Sequence, residues 1–328
     1  MDLVEIHPDD ADAVRALAEL RHEVVDADSP WVFADSPYRV EMEMRHGWDG
    51  EPGRCFLALE GTDVVGALQV DASTWDNTEM AWLRLEVRPT LRRQGRGRRL
   101  LELATEVTAT MGRPLQAVLG WDLPAVHGFA ATTGFDRKTQ DIHRRRPVHE
   151  VDPALVQRLY DEAVAASADY ELVGYEGRTP DDLLDAVAVM TAAINDAPLD
   201  DLEYEDEVFT AQRVRDYETA QLESGFRLLR VLARHRGTGE LAGHSVVAVD
   251  TESPSRAAQH DTSVLATHRG HRLGLLLKAR MVLWLAETAP EVSTVDTWNA
   301  ESNDHMIAVN ERLGYRAMGR EVSFQRRP

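Results

Sequence analysis

Apolar-rich runs over residues 55–60 and 64–70 flank the turn Gly61-Thr62-Asp63, and this arrangement predicts a β-hairpin. A second hairpin is predicted over 228–234 and 241–249, around the polar segment 235–240. Helical spacing follows each hairpin. Leu100, Ala104, Val107 and Met111 recur on one face before Gly112, and Leu273, Leu277, Met281 and Trp284 do so before Pro290. Each half closes on a Gly-aromatic pair, Gly134-Phe135 and Gly314-Tyr315.

The two patterns are copies. One constant shift lays Val87 on Val264, Arg92 on Arg269, Gly97 on Gly274 and Gly66 on Gly243. Helix starts recur too, with Pro8-Asp9-Asp10 and Thr179-Pro180-Asp181-Asp182 placing Pro at a first helical position and acids in the first turn. The charged, proline-bearing segment Arg144 to Pro153 reads as a boundary. The expected organisation is a first domain over 1–147, a linker helix within 148–168 and a second domain over 169–328.

Length agrees with this division, because 328 residues suit two compact units of about 150 each. Apolar residues at 43% and charged residues at 28% are globular values, and no apolar run reaches the roughly 20 residues that span a bilayer. The segment Met1-Asp2-Leu3-Val4-Glu5 lacks the basic flank and apolar stretch of a secretory signal, and a single cysteine, Cys55, leaves no intrachain disulfide or thiolate cluster. A cytoplasmic protein without membrane partners is expected. Net charge is −20, with 18 basic against 26 acidic residues over 1–150 and 18 against 30 beyond, so neither half is a nucleic-acid binder. The acidic field favours cationic small molecules over polyanions.

In each half an apolar strand runs into a basic turn that opens a helix. Such a turn makes an anion cradle, since unpaired amides and the helix dipole point at the ligand and glycine lets oxygens approach the main chain. The first turn is Arg92-Arg93-Gln94-Gly95-Arg96-Gly97-Arg98, and the second is Arg269-Gly270-His271-Arg272-Leu273-Gly274. Neither carries the Gly-Lys-Ser/Thr of a P-loop, and the first lacks the third glycine of a dinucleotide fingerprint. His260, His268 and His271 have no carboxylate or cysteine spacing typical of zinc, so no metal is expected.

The first turn resembles the Arg/Gln-x-x-Gly-x-Gly/Ala signature of the GNAT superfamily of N-acetyltransferases. The second is similar but has Arg272 in place of the middle glycine. The tandem plan is similar to that of actinobacterial enzymes of the mycothiol synthase type. The resemblance implies an α+β (mixed α/β) protein of two GNAT domains in tandem, each a mixed, mostly antiparallel sheet flanked by helices. It implies acetyl-coenzyme A as cosubstrate, its pyrophosphate on the amides of the two turns, and direct transfer to a primary amine of a small molecule or peptide. It also implies that an amide near Val87, or near Val264 and Leu265, donates to the thioester oxygen.

A carboxylate, or a water held by one, should deprotonate the amine, and Glu86 and Asp261 lie on the relevant strands. The family's tyrosine acid falls on Ala130 and Asn310, which leaves Tyr315 as a substitute candidate. Asn299, Asn303 and Asn310 resemble the asparagines that contact the pantetheine arm or bound water, and the first half has Trp121-Asp122-Leu123-Pro124-Ala125 instead. Chemistry is therefore expected in the second half. Glu203, Tyr204 and Glu205 are expected to rim its acceptor site, where acids and an aromatic suit a cationic amine. Two other readings fit the same residues: a noncatalytic coenzyme A-binding regulator, and acetylation of a thiol-conjugate precursor. No heptad or apolar stripe marks an oligomer.

Overall fold

The computed structural model describes all 328 residues, and the chain forms two compact units. The first comprises Met1–Gln140, Leu199–Asp206 and Gly319–Pro328, and the second Asp141–Pro198 and Glu207–Met318. Each unit thus completes its sheet with a strand from the far half of the chain.

In the first unit the strands are β1 (Asp2–Ile6), β2 (Arg54–Glu60), β3 (Asp63–Asp71), β4 (Met80–Val87) and β5 (Leu115–Trp121). Neighbouring pairs are antiparallel except β4–β5, which is parallel. Residues 321–326 of the last strand of the chain pair antiparallel with β5. Helices α1 (Ala11–Asp28) and α2 (Pro37–His46) cover one face and α3 (Arg96–Thr110) and α4 (Pro124–Thr133) the other. Helix α1 begins after Pro8-Asp9, because the Asp10 carboxylate accepts from Ala13 N at 3.0 Å and caps it there. The α3 face buries Leu100, Leu101, Ala104 and Val107 against Phe56, Leu68, Val70 and Leu83. Each such large side chain contributes about 1.5–3 kcal/mol.

The second unit repeats the plan. Its strands are β6 (Asp136–Pro147, from Asp141), β7 (Tyr170–Glu176), β8 (Phe226–His235), β9 (Leu241–Asp250), β10 (Arg256–Val264) and β11 (Thr294–Ala300). The last strand of the chain, β12 (Arg316–Arg326), gives its residues from Gly319 to the first unit. The pairs β7–β8, β8–β9, β9–β10 and β11–β6 are antiparallel and β10–β11 is parallel. Helix α5 (Pro153–Ala166) packs with α8 (Leu273–Thr288) and α9 (Asp304–Arg312) on one face, and α6 (Leu184–Thr191) and α7 (Ala211–Glu223) lie on the other. The segment read as a boundary stays strand to Pro147, because its arginines are paired. Arg145 chelates Asp296 at 2.6 and 2.7 Å, and Arg146 Nε donates to Leu313 O at 2.9 Å.

The shared glycines have a steric cause. A β-carbon on Gly66 would stand 2.7 Å from Glu86 O, and one on Gly243 2.6 Å from Ser263 O. Only glycine lets β3 lie this close to β4, and β9 this close to β10.

Candidate active site

In both units the two parallel strands separate. Strands β4 and β5 pair from Met80/Leu115 to Leu83/Val118, and β10 and β11 only from Arg256/Thr294 to Ala258/Asp296. Beyond those points a gap opens. Backbone pairing shows which amides face it. Arg88 N donates to Val65 O at 3.0 Å and Leu265 N to Ala242 O at 2.9 Å. Hydrogen-bonded and non-bonded pairs alternate along an antiparallel ladder, so the amides of Val87 and Val264 point into the gaps. The Leu265 amide is occupied by Ala242.

Strands β4 and β10 then enter the basic turns. No protein acceptor takes the amides of residues 93–98 in the first unit or of 270–275 in the second, so both turns present a row of donors at a helix start. The leading arginines brace the turns. Arg92 reaches Val87 O at 3.1 Å and Asp28 at 2.7 and 2.8 Å, while Arg269 reaches Val264 O at 3.2 Å and Asp196 at 2.7 Å. Arg96 chelates Glu60 at 2.9 and 2.6 Å and reaches Gln94 Oε1 at 2.7 Å. Arg93 and Arg98 are exposed and make no ion pair, leaving their charge for an anion. Gly95 (φ 84°, ψ −9°) and Arg272 (φ 56°, ψ 23°) hold the same left-handed conformation at the helix start, so the arginine keeps the turn at a strain of about 1–2 kcal/mol. Its guanidinium pairs with Glu162.

Three features separate the units. First, a β-carbon on Gly97 would lie 3.2 Å from the Phe129 ring, whereas one on Gly274 would meet nothing within 4 Å. A side chain at the second helical position thus meets the Phe129 ring in the first unit and no atom in the second. Secondly, β10 carries a bulge between Gln259 and Thr262, and β4 runs against β3 without interruption. The bulge turns His260 and Asp261 to one face, where His260 Nδ1 meets Tyr217 OH at 2.6 Å and Asp261 Oδ2 meets His244 Nε2. Burial depresses His260 to about 4 and so keeps it neutral.

Thirdly, the two strand carboxylates differ. Glu86 is 7% exposed and lies 3.5 Å from Arg21 Nε and 3.3 Å from Arg84 Nε. Arg21, 1% exposed, also binds Glu43 at 2.5 Å and Gln69, so Glu86 belongs to a closed ionic network. Burial raises Asp71 beside it to about 6. Asp261 instead keeps its buried Oδ1 without any partner.

The other expected residues divide. Asn310 Nδ2 donates to Asn299 Oδ1 at 2.5 Å, and its own buried Oδ1 is unpartnered, whereas Asn303 caps α9 by accepting from Met306 N at 3.1 Å. Tyr315 is core, 3% exposed, with its hydroxyl raised by burial. Glu203, Tyr204 and Glu205 lie in the first unit: Glu205 N and Oε2 bond Asn77, Glu203 pairs with Gln325 and Arg327, and Tyr204 packs on Met80. The pattern of apolar and turn residues gave no sign of several polar groups here. These include His244 and Arg230, Lys278, whose Nζ stands 5.0 Å over the Tyr315 ring and which burial depresses to about 7, and Trp298, 39% exposed and stacked on His143 at 4.4 Å. A lysine in the apolar stripe of a helix and charged residues inside strand runs were the available signals.

Parted parallel strands with an inward amide, feeding a cradle of free donors, define an acyl-coenzyme A-binding acetyltransferase fold. Residues 17–135 match the Acetyltransferase (GNAT) family, and over nearly its whole length the chain is similar to proteins that carry this fold in tandem. It is 26% identical over 294 residues to "Mycothiol acetyltransferase" of Clavibacter sepedonicus, covering 89% of this chain and 86% of that protein. The tandem GNAT protein from the clavulanic acid biosynthesis pathway superposes with a TM-score of 0.82 at 28% identity, covering 99% of this chain and 98% of that one. A GCN5-related N-acetyltransferase from Sphaerobacter thermophilus shares the fold at a TM-score of 0.67 and 15% identity, over 100% and 96% of the two chains. No helix is long and apolar enough to cross a membrane.

Proposed function

We propose that this protein transfers an acetyl group from acetyl-coenzyme A to a primary amine of a small molecule or peptide, and that the second unit performs the chemistry. The observation that carries this reading is the β10 bulge, whose Asp261 keeps a carboxylate oxygen, Oδ1, without a partner on the strand that ends at the gap. The donors fit a diphosphate: free amides over 270–275 and room over Gly274 in the second unit. Bound there, acetyl-coenzyme A supplies an activated thioester. Val264 N–H is the donor for an oxygen that gains charge, and Asp261 Oδ1 accepts the amine proton. The exposed Trp298 ring, rigid against His143, gives a cationic or flat acceptor a surface to lie on.

The likeness to a mycothiol acetyltransferase over most of both chains favours, within this reading, an acceptor that is the cysteinyl amine of a thiol conjugate. The test is release of coenzyme A thiol by the intact chain across a panel of primary amines, such a conjugate included, with the product identified by mass. Acetyl-coenzyme A binding without turnover on any amine would instead mark a noncatalytic regulator.

A further inference from the structure

Asp261 stands at the end of a buried polar chain. On α7, Glu218 is 0% exposed and receives Thr179 N at 3.1 Å and Arg215 NH1 at 2.9 Å. Arg230 of β8, 4% exposed, lies 3.6 Å from Glu218 and puts NH1 2.9 Å from His244 Nδ1. His244 of β9 is 1% exposed, and its Nε2 meets Asp261 Oδ2.

A guanidinium has donors and no acceptor, so His244 Nδ1 must present its lone pair to Arg230. The ring proton then sits on Nε2 and is given to Asp261. A second proton on Nδ1 would face Arg230 with nowhere to point and would add a cation beside a cation. Glu218 holds Arg230 in place, and Arg215 with Asp181 at 2.6 Å balances the charge behind it. With Oδ2 held by the imidazole, the carboxylate plane is fixed and Oδ1 is the oxygen left over.

We propose that His244 is a positioning residue, locked by Arg230 as the neutral Nε2–H tautomer, which aims Asp261 Oδ1 at the acceptor amine. The proposal rests on Asp261 being the proton acceptor. It also fixes where the proton rests: with Nδ1 facing the Arg230 guanidinium, His244 does not pass it on, and it stays on Asp261. The charged and titratable groups around Asp261 are His244 from β9, Arg230 from β8, Tyr217 and Glu218 from α7, Lys278 from α8 and His260 on its own strand.

Side-chain ¹⁵N NMR of the intact chain reads the lock without any turnover. His244 is expected to show a bare Nδ1 and a protonated Nε2, and to lose that tautomer preference in Arg230→Gln. A wild-type ring that carries its proton on Nδ1 overturns the proposal. Kinetics read the aim. His244→Ala should lower kcat/KM roughly tenfold or more through kcat, with the KM for acetyl-coenzyme A unchanged. His244→Gln, whose amide accepts on one atom and donates on the other, should restore kcat. Loss of rate in His244→Ala with no rescue by Gln would reduce His244 to packing and overturn the proposal. An Asp261→Asn enzyme of full activity would remove the reading of Asp261 itself, a failure that the ¹⁵N spectrum of His244 keeps separate.

Discussion

Phe129 stands 3.2 Å from the point where a β-carbon on Gly97 would project, and no atom takes that place at Gly274. The two glycines begin matching helices, yet one abuts a ring and the other abuts open room. Gly274→Ala should gain about 0.5–1 kcal/mol of helix propensity while its methyl meets no atom within 4 Å. The expected outcome is a Tm raised by a few degrees with coenzyme A affinity kept within about twofold by calorimetry, because the last position of the turn signature takes Gly or Ala. Gly97→Ala should change neither the affinity nor turnover. If only Gly97→Ala weakened binding, the first unit would be the one that holds the coenzyme.

Lys278 gives a stability prediction with a definite sign. Burial lowers its folded value from 10.5 to about 7, so between those values the unfolded chain binds more protons than the folded one. Stability must therefore rise with pH across that window, by at most about 1.4 kcal/mol per pH unit from this group. Lys278→Met should flatten the slope and raise the denaturant midpoint near neutral pH most. Chemical denaturation at several pH values checks this, and an unchanged slope would contradict it.

Much of this architecture is readable from residue pattern. The repeat is legible because each unit needs the same steric exceptions, glycine at 66 and 243 for strand approach and a left-handed residue at 95 and 272 for the turn. Strand exchange is not legible. Residues 141–147 and 319–326 have the composition of edge strands for either sheet, and only pairing partners such as Asp296 for Arg145 decide. The bulge at His260-Asp261 is equally silent, since one extra residue in a polar strand segment leaves no mark on periodicity. Glu203–Glu205 looked like an acidic rim of the second half, but a loop's composition does not say that its backbone will hydrogen-bond Asn77 and Gln325.

The exchange also bears on experiment. A chain cut after residue 147 would leave the first unit without the strand that pairs with β5. Comparison of the units therefore belongs in the intact protein, through single substitutions.

Two isosteric carboxylate changes in the full chain divide the account most sharply. Glu86→Gln removes a buried partner of Arg21 and should cost about 1–3 kcal/mol of stability while leaving the acetyl-transfer rate within about twofold. Asp261→Asn should leave acetyl-coenzyme A affinity intact and lower kcat roughly a hundredfold or more. Initial rates of coenzyme A release by the two variants, on the best amine of the panel, test the claim that the second unit carries the chemistry. A large loss in Asp261→Asn alone is predicted, and full activity in Asp261→Asn with loss in Glu86→Gln would contradict it.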